Sequence, residues 1–92
     1  MTKDKRYTTV KNLISSGYIK SFDEIFDTLP KTIVCKDLGM NGIRFNALME
    51  NVDNFILKDI FRIAALIDID EKILLDLIYA QYRQKKIARK KK

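Results

Sequence analysis

Asp68, Asp70 and Glu71 make the nearest approach to a reactive cluster in this chain of 92 residues. The run Asp68-Ile69-Asp70-Glu71 suggests a shared cation, but it lacks the twelve-residue spacing and central glycine of a calcium loop. Acidic residues are expected there for another reason, because a helix N-terminus attracts them. Histidine is absent, so the usual general base is missing. The single cysteine, Cys35, has no partner for an internal disulfide and no co-ligands for zinc; a small buried apolar role is expected for it. The glycines are scattered at 17, 39 and 42 and form no phosphate-cradling loop. The other carboxylates fall at helix starts or on faces predicted to be exposed, where capping and solubility account for them. The expectation is a protein that is not an enzyme, with no metal, no cofactor and no small-molecule ligand.

The cations are unevenly placed. Residues 1–20 carry five Lys/Arg against one Asp, residues 21–82 six against eleven acids, and residues 83–92 seven with no acid. The net charges are +4, −5 and +7, which give +6 for the chain. Basic ends on an acidic body suit the gripping of phosphates, and a solvated tail that aids solubility is the competing reading. The opening MTKDKRYTTV has basic residues but no apolar run behind them, so no secretory signal is read. No stretch approaches eighteen uncharged apolar residues, so no membrane span is expected either. A cytoplasmic protein is the expectation. Ninety-two residues with 47% apolar content make one domain around one core.

The apolar spacing sets the elements. A first helix over about 8–16 carries Tyr7, Val10, Leu13 and Ile14 on one side and ends at Gly17, after which Tyr18 closes over Leu13. Ser21 and Glu24 form a capping box that starts a second helix with Phe22, Ile25, Phe26 and Leu29. Pro30 breaks it and suits the start of the next helix, which runs to Leu38. Val34 and Leu38 share its face. Gly39 is the natural C-terminal residue, and Asn41 offers the N-cap of a helix over 42–50 bearing Phe45, Leu48 and Met49. A polar connection over 51–54 leads to a helix over 57–67. Its residues Leu57, Ile60, Phe61, Ala64 and Ile67, with Ile63, Ala65 and Leu66 filling the circumference, predict a central helix buried all round. Asp70 caps the last helix, with Ile69 and Leu74 as a hydrophobic staple. That helix has two stripes: Ile73, Leu74, Leu77 and Ile78 on one side, Leu75, Tyr79 and Tyr82 on the other. The second covers the N-terminal helix or meets another copy. Strand signals are absent, so the fold is all-α, a compact bundle of five to six short helices.

The stretch 31–50, KTIVCKDLGMNGIRFNALME, places a small residue four before a glycine, a three-residue turn, and a second amphipathic helix. It resembles the helix-turn-helix of the lambda-repressor-like class, in which the second helix enters the DNA major groove. The strict match covers these twenty residues, and the helix sequence as a whole matches over 21–82. On this division residues 1–20 form an N-terminal helical arm, 21–82 the helix-turn-helix domain and 83–92 a basic C-terminal tail. Relatives of the class often begin the following helix with a Ser or Thr cap. Here that position is Ile56, which leaves Asn54 as the alternative cap.

The resemblance implies a small sequence-specific regulator of phage or plasmid repressor type, binding double-stranded DNA as a homodimer. It turns Asn41, Ile43, Arg44, Asn46, Ala47 and Glu50 toward base edges. Asn46 suits paired hydrogen bonds to adenine, Ile43 or Ala47 a thymine methyl, Arg44 guanine or phosphate, and Glu50 a cytosine amine. Lys31 and Thr32 stand at a helix start, where phosphate is favoured, and Lys85, Lys86, Arg89 and Lys90 of the basic end are further phosphate ligands. Leu75, Tyr79 and Tyr82 become the dimer interface. The alternative is a protein-interaction module, such as an antitoxin-like subunit, that uses the same scaffold without reading bases.

Overall fold

The structure is a computed structural model and describes residues 4–90, with side chains described through Lys86. It is all-α, with five α-helices, two short 3-10 turns and no strand among the described residues. Helix α1 spans Arg6–Ser15. It starts two residues before the expected position because the Asp4 carboxylate accepts the Arg6 backbone N–H at 2.9 Å. The Arg6 guanidinium on the same carboxylate holds the Asp4 pKa down at about 2. At the other end Gly17 takes φ +82°, and Tyr18 and Gly17 donate their N–H groups to Leu13 and Ile14, the paired bonds of a Schellman ending. The expected hydrophobic contact does not follow. Tyr18 is 79% exposed, and Ile19 is the residue that turns into the core.

The capping box of Ser21 and Glu24 is present, with the Glu24 carboxylate accepting the N–H groups of Lys20 and Ser21. It starts a 3-10 turn, Phe22–Asp27, rather than the expected α-helix. Pro30 is close behind and biases Leu29 away from helical backbone, which leaves room for little more than a tight turn. Pro30 itself precedes α2, Lys31–Leu38. Gly39 ends that helix at φ 68°, ψ 31°, and Met40 N–H closes back on the Cys35 carbonyl at 2.9 Å. Asn41 then caps α3, Gly42–Glu50, by accepting from the N–H groups of Ile43 and Arg44. Gly39, Met40 and Asn41 are thus a three-residue turn between two helices.

A second 3-10 turn, Val52–Asn54, occupies the polar connection and anchors it through buried Val52. Helix α4 spans Leu57–Ile67 and its N-cap position, Ile56, makes no side-chain cap; Asn54 does not take that place. The helix ends at Asp68, whose φ of 65° is left-handed, a conformation aspartate tolerates better than most residues. Helix α5 runs over Glu71–Lys90 from Asp70, whose carboxylate accepts the Lys72 N–H at 2.8 Å. Asp68 meanwhile pairs with Lys11 at 2.8 Å. The acidic run therefore has two structural jobs, a cap and a tie to α1.

One core joins all of these elements. Helix α4 packs on α1, α2 and α5, with Ile60, Ile63, Ala64 and Ile67 buried. It is not buried all round, however: Leu57 and Phe61 remain 58% and 44% exposed, because neighbours cover three sides and solvent the fourth. Residues 1–20 contribute Tyr7, Val10 and Ile19 to the same core. From α5 come Leu74, Leu77 and Ile78, while Ile73 stays at the edge, 43% exposed. Phe22, Phe26, Phe45 and Phe55 meet edge to face, with centroids 5.3 to 6.1 Å apart, the arrangement their quadrupoles favour. Phe45 is the α3 member of that group, so the aromatic cluster is what seats α3 on the body.

Candidate nucleic-acid interface

Phe45, Leu48 and Met49 are buried and point α3 inward, which leaves its opposite face open. On that face Ile43, Asn46, Ala47 and Glu50 recur at helical spacing and all are exposed. Ile43 is the most prominent, 82% exposed. The Asn46 carboxamide has no hydrogen-bond partner among the described residues, so its donor and acceptor are both available. Asn41 is exposed at the helix start, but its side-chain oxygen is committed to the cap, at 2.7 Å from the Ile43 nitrogen. Gly42 beside it presents only backbone.

Helix α2 brings a second set of groups to the same face. Lys31 and Thr32, exposed in its first turn, share with Gly42 and Asn46 a groove of about 240 Å³ whose floor includes Cys35. Cys35 is buried, and burial pushes its thiol pKa up while the nearby Lys31 charge opposes that shift. A broader depression of about 420 Å³ continues from Lys31 and Asn46 to Glu50, Gln81 and Lys85. Of the groups expected at base edges, Asn46 and Glu50 therefore border the depressions that Lys31 and Thr32 of the α2 start also line, with Asp23 on the same wall; Asn41, Ile43, Arg44 and Ala47 do not line them.

Besides Asn41, two of the expected cationic ligands are otherwise engaged. The Arg44 guanidinium donates to the buried Asp59 carboxylate at 3.3 Å, tying the start of α3 to the first turn of α4. The Lys85 ammonium donates to the Met49 carbonyl at 3.3 Å and to the Glu50 carbonyl, so it sits on the C-terminal end of α3. Lys86 is exposed. The backbone of Arg89 and Lys90 belongs to α5, while their side chains lie outside the described ones. The segment expected as a tail is a continuation of α5 at least to Lys90.

Leu75, Tyr79 and Tyr82 do not cover α1, which packs on α4. They border a groove of about 250 Å³ together with Val52, Phe55 and Ile60. Tyr79 is 58% exposed, stacks on Tyr82 with centroids 6.3 Å apart, and lies under the Arg83 guanidinium.

Sequence reasoning missed three residues that hold this face together. Arg62 of α4 donates to the Leu38 carbonyl at 2.5 Å, closing the end of α2. Asp59 receives Arg44, and Gln81 donates to the Met49 carbonyl at 3.1 Å. Gln81 did leave a signal: it continues the Leu74, Ile78 stripe, where an amide needs a reason. Arg62 and Asp59 left none, since charges on a helix are ordinarily solvated. Comparison of the chain with protein-family models, with curated proteins and with solved structures gave no match.

Proposed function

We propose that this chain is a small sequence-specific DNA-binding regulator of phage or plasmid repressor type, with α3 as the helix that enters the major groove. The observation that carries the reading is the exposed row Ile43, Asn46, Ala47 and Glu50 on a helix anchored from behind by Phe45, Leu48 and Met49. Asn46 supplies paired hydrogen bonds for adenine and Ile43 a methyl contact for thymine. Lys31 and Thr32 at the α2 start, beside the same groove, supply phosphate contacts that position without specifying. The basic end of α5 adds further phosphate charge. Two copies pair through Leu75, Tyr79 and Tyr82, a stripe whose Tyr79 stays exposed and whose Leu75 and Tyr82 are only partly buried among the described residues, since repressors of this kind read two half-sites through a two-fold axis.

The test is a mobility-shift titration against a random duplex pool at two salt concentrations, followed by selection of the bound sequences. Retarded duplex with an enriched motif supports the reading. If no duplex is retarded even at low salt, the regulator reading fails. A protein-interaction module then takes its place, the reading that Ile43, apolar and 82% exposed, independently favours.

A further inference from the structure

We propose that Gln81 and Lys85 of α5 are positioning residues for α3, fixing the pose of its outward face by capping its C-terminal carbonyls. The inference rests on the DNA reading above. Helix α3 brings its own N-cap, Asn41, but its local sequence supplies no C-terminal one. Asn51, which follows it, has φ −133° and ψ 76°, not the left-handed turn that closes α1, α2 and α4. Its last carbonyls are met from 32 to 36 residues away instead, Met49 by Gln81 and Met49 and Glu50 by Lys85. A cation at the negative end of the helix dipole is favourable there.

Gln81 is the more telling of the two. It is 4% exposed, and its bond to a carbonyl fixes the amide with nitrogen toward α3. The other side-chain atom, Oε1, is left buried without a partner. An unsatisfied buried oxygen costs stability, and leucine at this stripe position would avoid that cost. The one bond Gln81 does make goes to the end of the reading helix. With Arg44 and Asp59 tying the start of α3 to α4, the helix is held at both ends, and base reading demands such placement to a fraction of an ångström.

This role competes with the phosphate contact expected of Lys85, because one ammonium serves both, and the two predict opposite results. The experiment compares the full-length chain with Lys85→Met, Lys85→Arg and Gln81→Leu, on a selected duplex and a scrambled one over a range of salt. Lys85→Met and Gln81→Leu are expected to lower the preference for the selected duplex about tenfold, the order of one good base contact. The salt slope should stay unchanged, and Lys85→Arg should keep the preference. Simple loss of fold would weaken binding to both duplexes equally and leave the ratio alone; that result overturns the inference. So does a Lys85→Met protein with intact preference and a salt slope lower by about 0.9 per protomer, which marks a phosphate contact. A wild type without any preference overturns the DNA reading itself. In that case faster amide exchange in the last turn of α3 in Lys85→Met still supports the clamp, and unchanged exchange overturns it too.

Discussion

Gly39 illustrates how narrowly one residue can be specified. Its backbone is left-handed at φ 68°, yet a Cβ built on it would meet nothing within 4 Å. The cost of replacing it is therefore conformational and not a clash. Gly39→Val is expected to lose about 1–3 kcal/mol of stability, read as a shift in the urea midpoint, while Gly39→Asn should lose much less because asparagine tolerates this region. Equal losses in the two variants would point to something other than backbone strain. Tyr7 makes a second prediction at this scale. Its hydroxyl donates to the Asp37 carboxylate at 2.7 Å from a ring that is 2% exposed. Burial first, and the Asp37 contact second, push its pKa well above the ordinary tyrosine value. The folded state thus holds this proton more tightly than the unfolded one. Its contribution is complete below about pH 10, the unfolded value, and is lost as pH rises further. Tyr7→Phe should cost about 1 kcal/mol at neutral pH, and it should flatten the alkaline fall in stability that wild type shows in denaturant melts above about pH 10.

The elements divide cleanly into what local sequence dictates and what it does not. The turn Gly39-Met40-Asn41, the Asp70 cap and the α4 bounds at 57–67 were legible, since each depends on residues within a few positions. The exposed row on α3 was legible for the same reason, as the reverse of Phe45 and Leu48. The α-helix expected over 22–29 became a 3-10 turn because Pro30 acts backward on it, and α4 proved half-exposed because the count of neighbouring helices is not written in a single helix. Closure of α2 by Arg62 and of α3 by Gln81 and Lys85 depends on residues 24 to 36 positions away, which no periodicity reports. The structure also changes how the basic end of α5 should be tested. Removing Lys85 would disturb α3, so a deletion should begin after Lys86. Loss of residues 87–92 takes four Lys/Arg, and each phosphate contact adds about 0.9 to the salt slope. If half or more of them engage phosphate, the slope should fall by roughly 2–4 units per protomer while the selected motif stays the same. An unchanged slope would assign the segment to solubility.

For the whole molecule the decisive quantity is how many copies act together. The acidic middle and basic ends give a chain whose charges repel at the ends and whose aromatic groove lies on α5 near Leu75, Tyr79 and Tyr82. If that groove closes against its two-fold mate, Leu75→Glu with Tyr79→Glu should give a folded monomer, since both side chains are only partly buried in the single chain. Sedimentation velocity decides it: a wild type that is already monomeric at high micromolar concentration removes the dimer and leaves a monomeric binder with a single half-site.

Cys35 has a practical consequence. It is the sole thiol of the chain, set in the floor between α2 and α3, and burial pushes its pKa up, which lowers its thiolate fraction. Since the thiolate is the reacting form, labelling by a thiol reagent is a clock that advances mainly when the helix pair opens. Anything laid along Lys31, Thr32 and Asn46 would roof the same floor and slow that clock. The labelling rate with and without a selected duplex therefore reports occupancy of this groove directly, without a substitution anywhere in the protein. A rate that duplex leaves unchanged would mean that the DNA lies elsewhere.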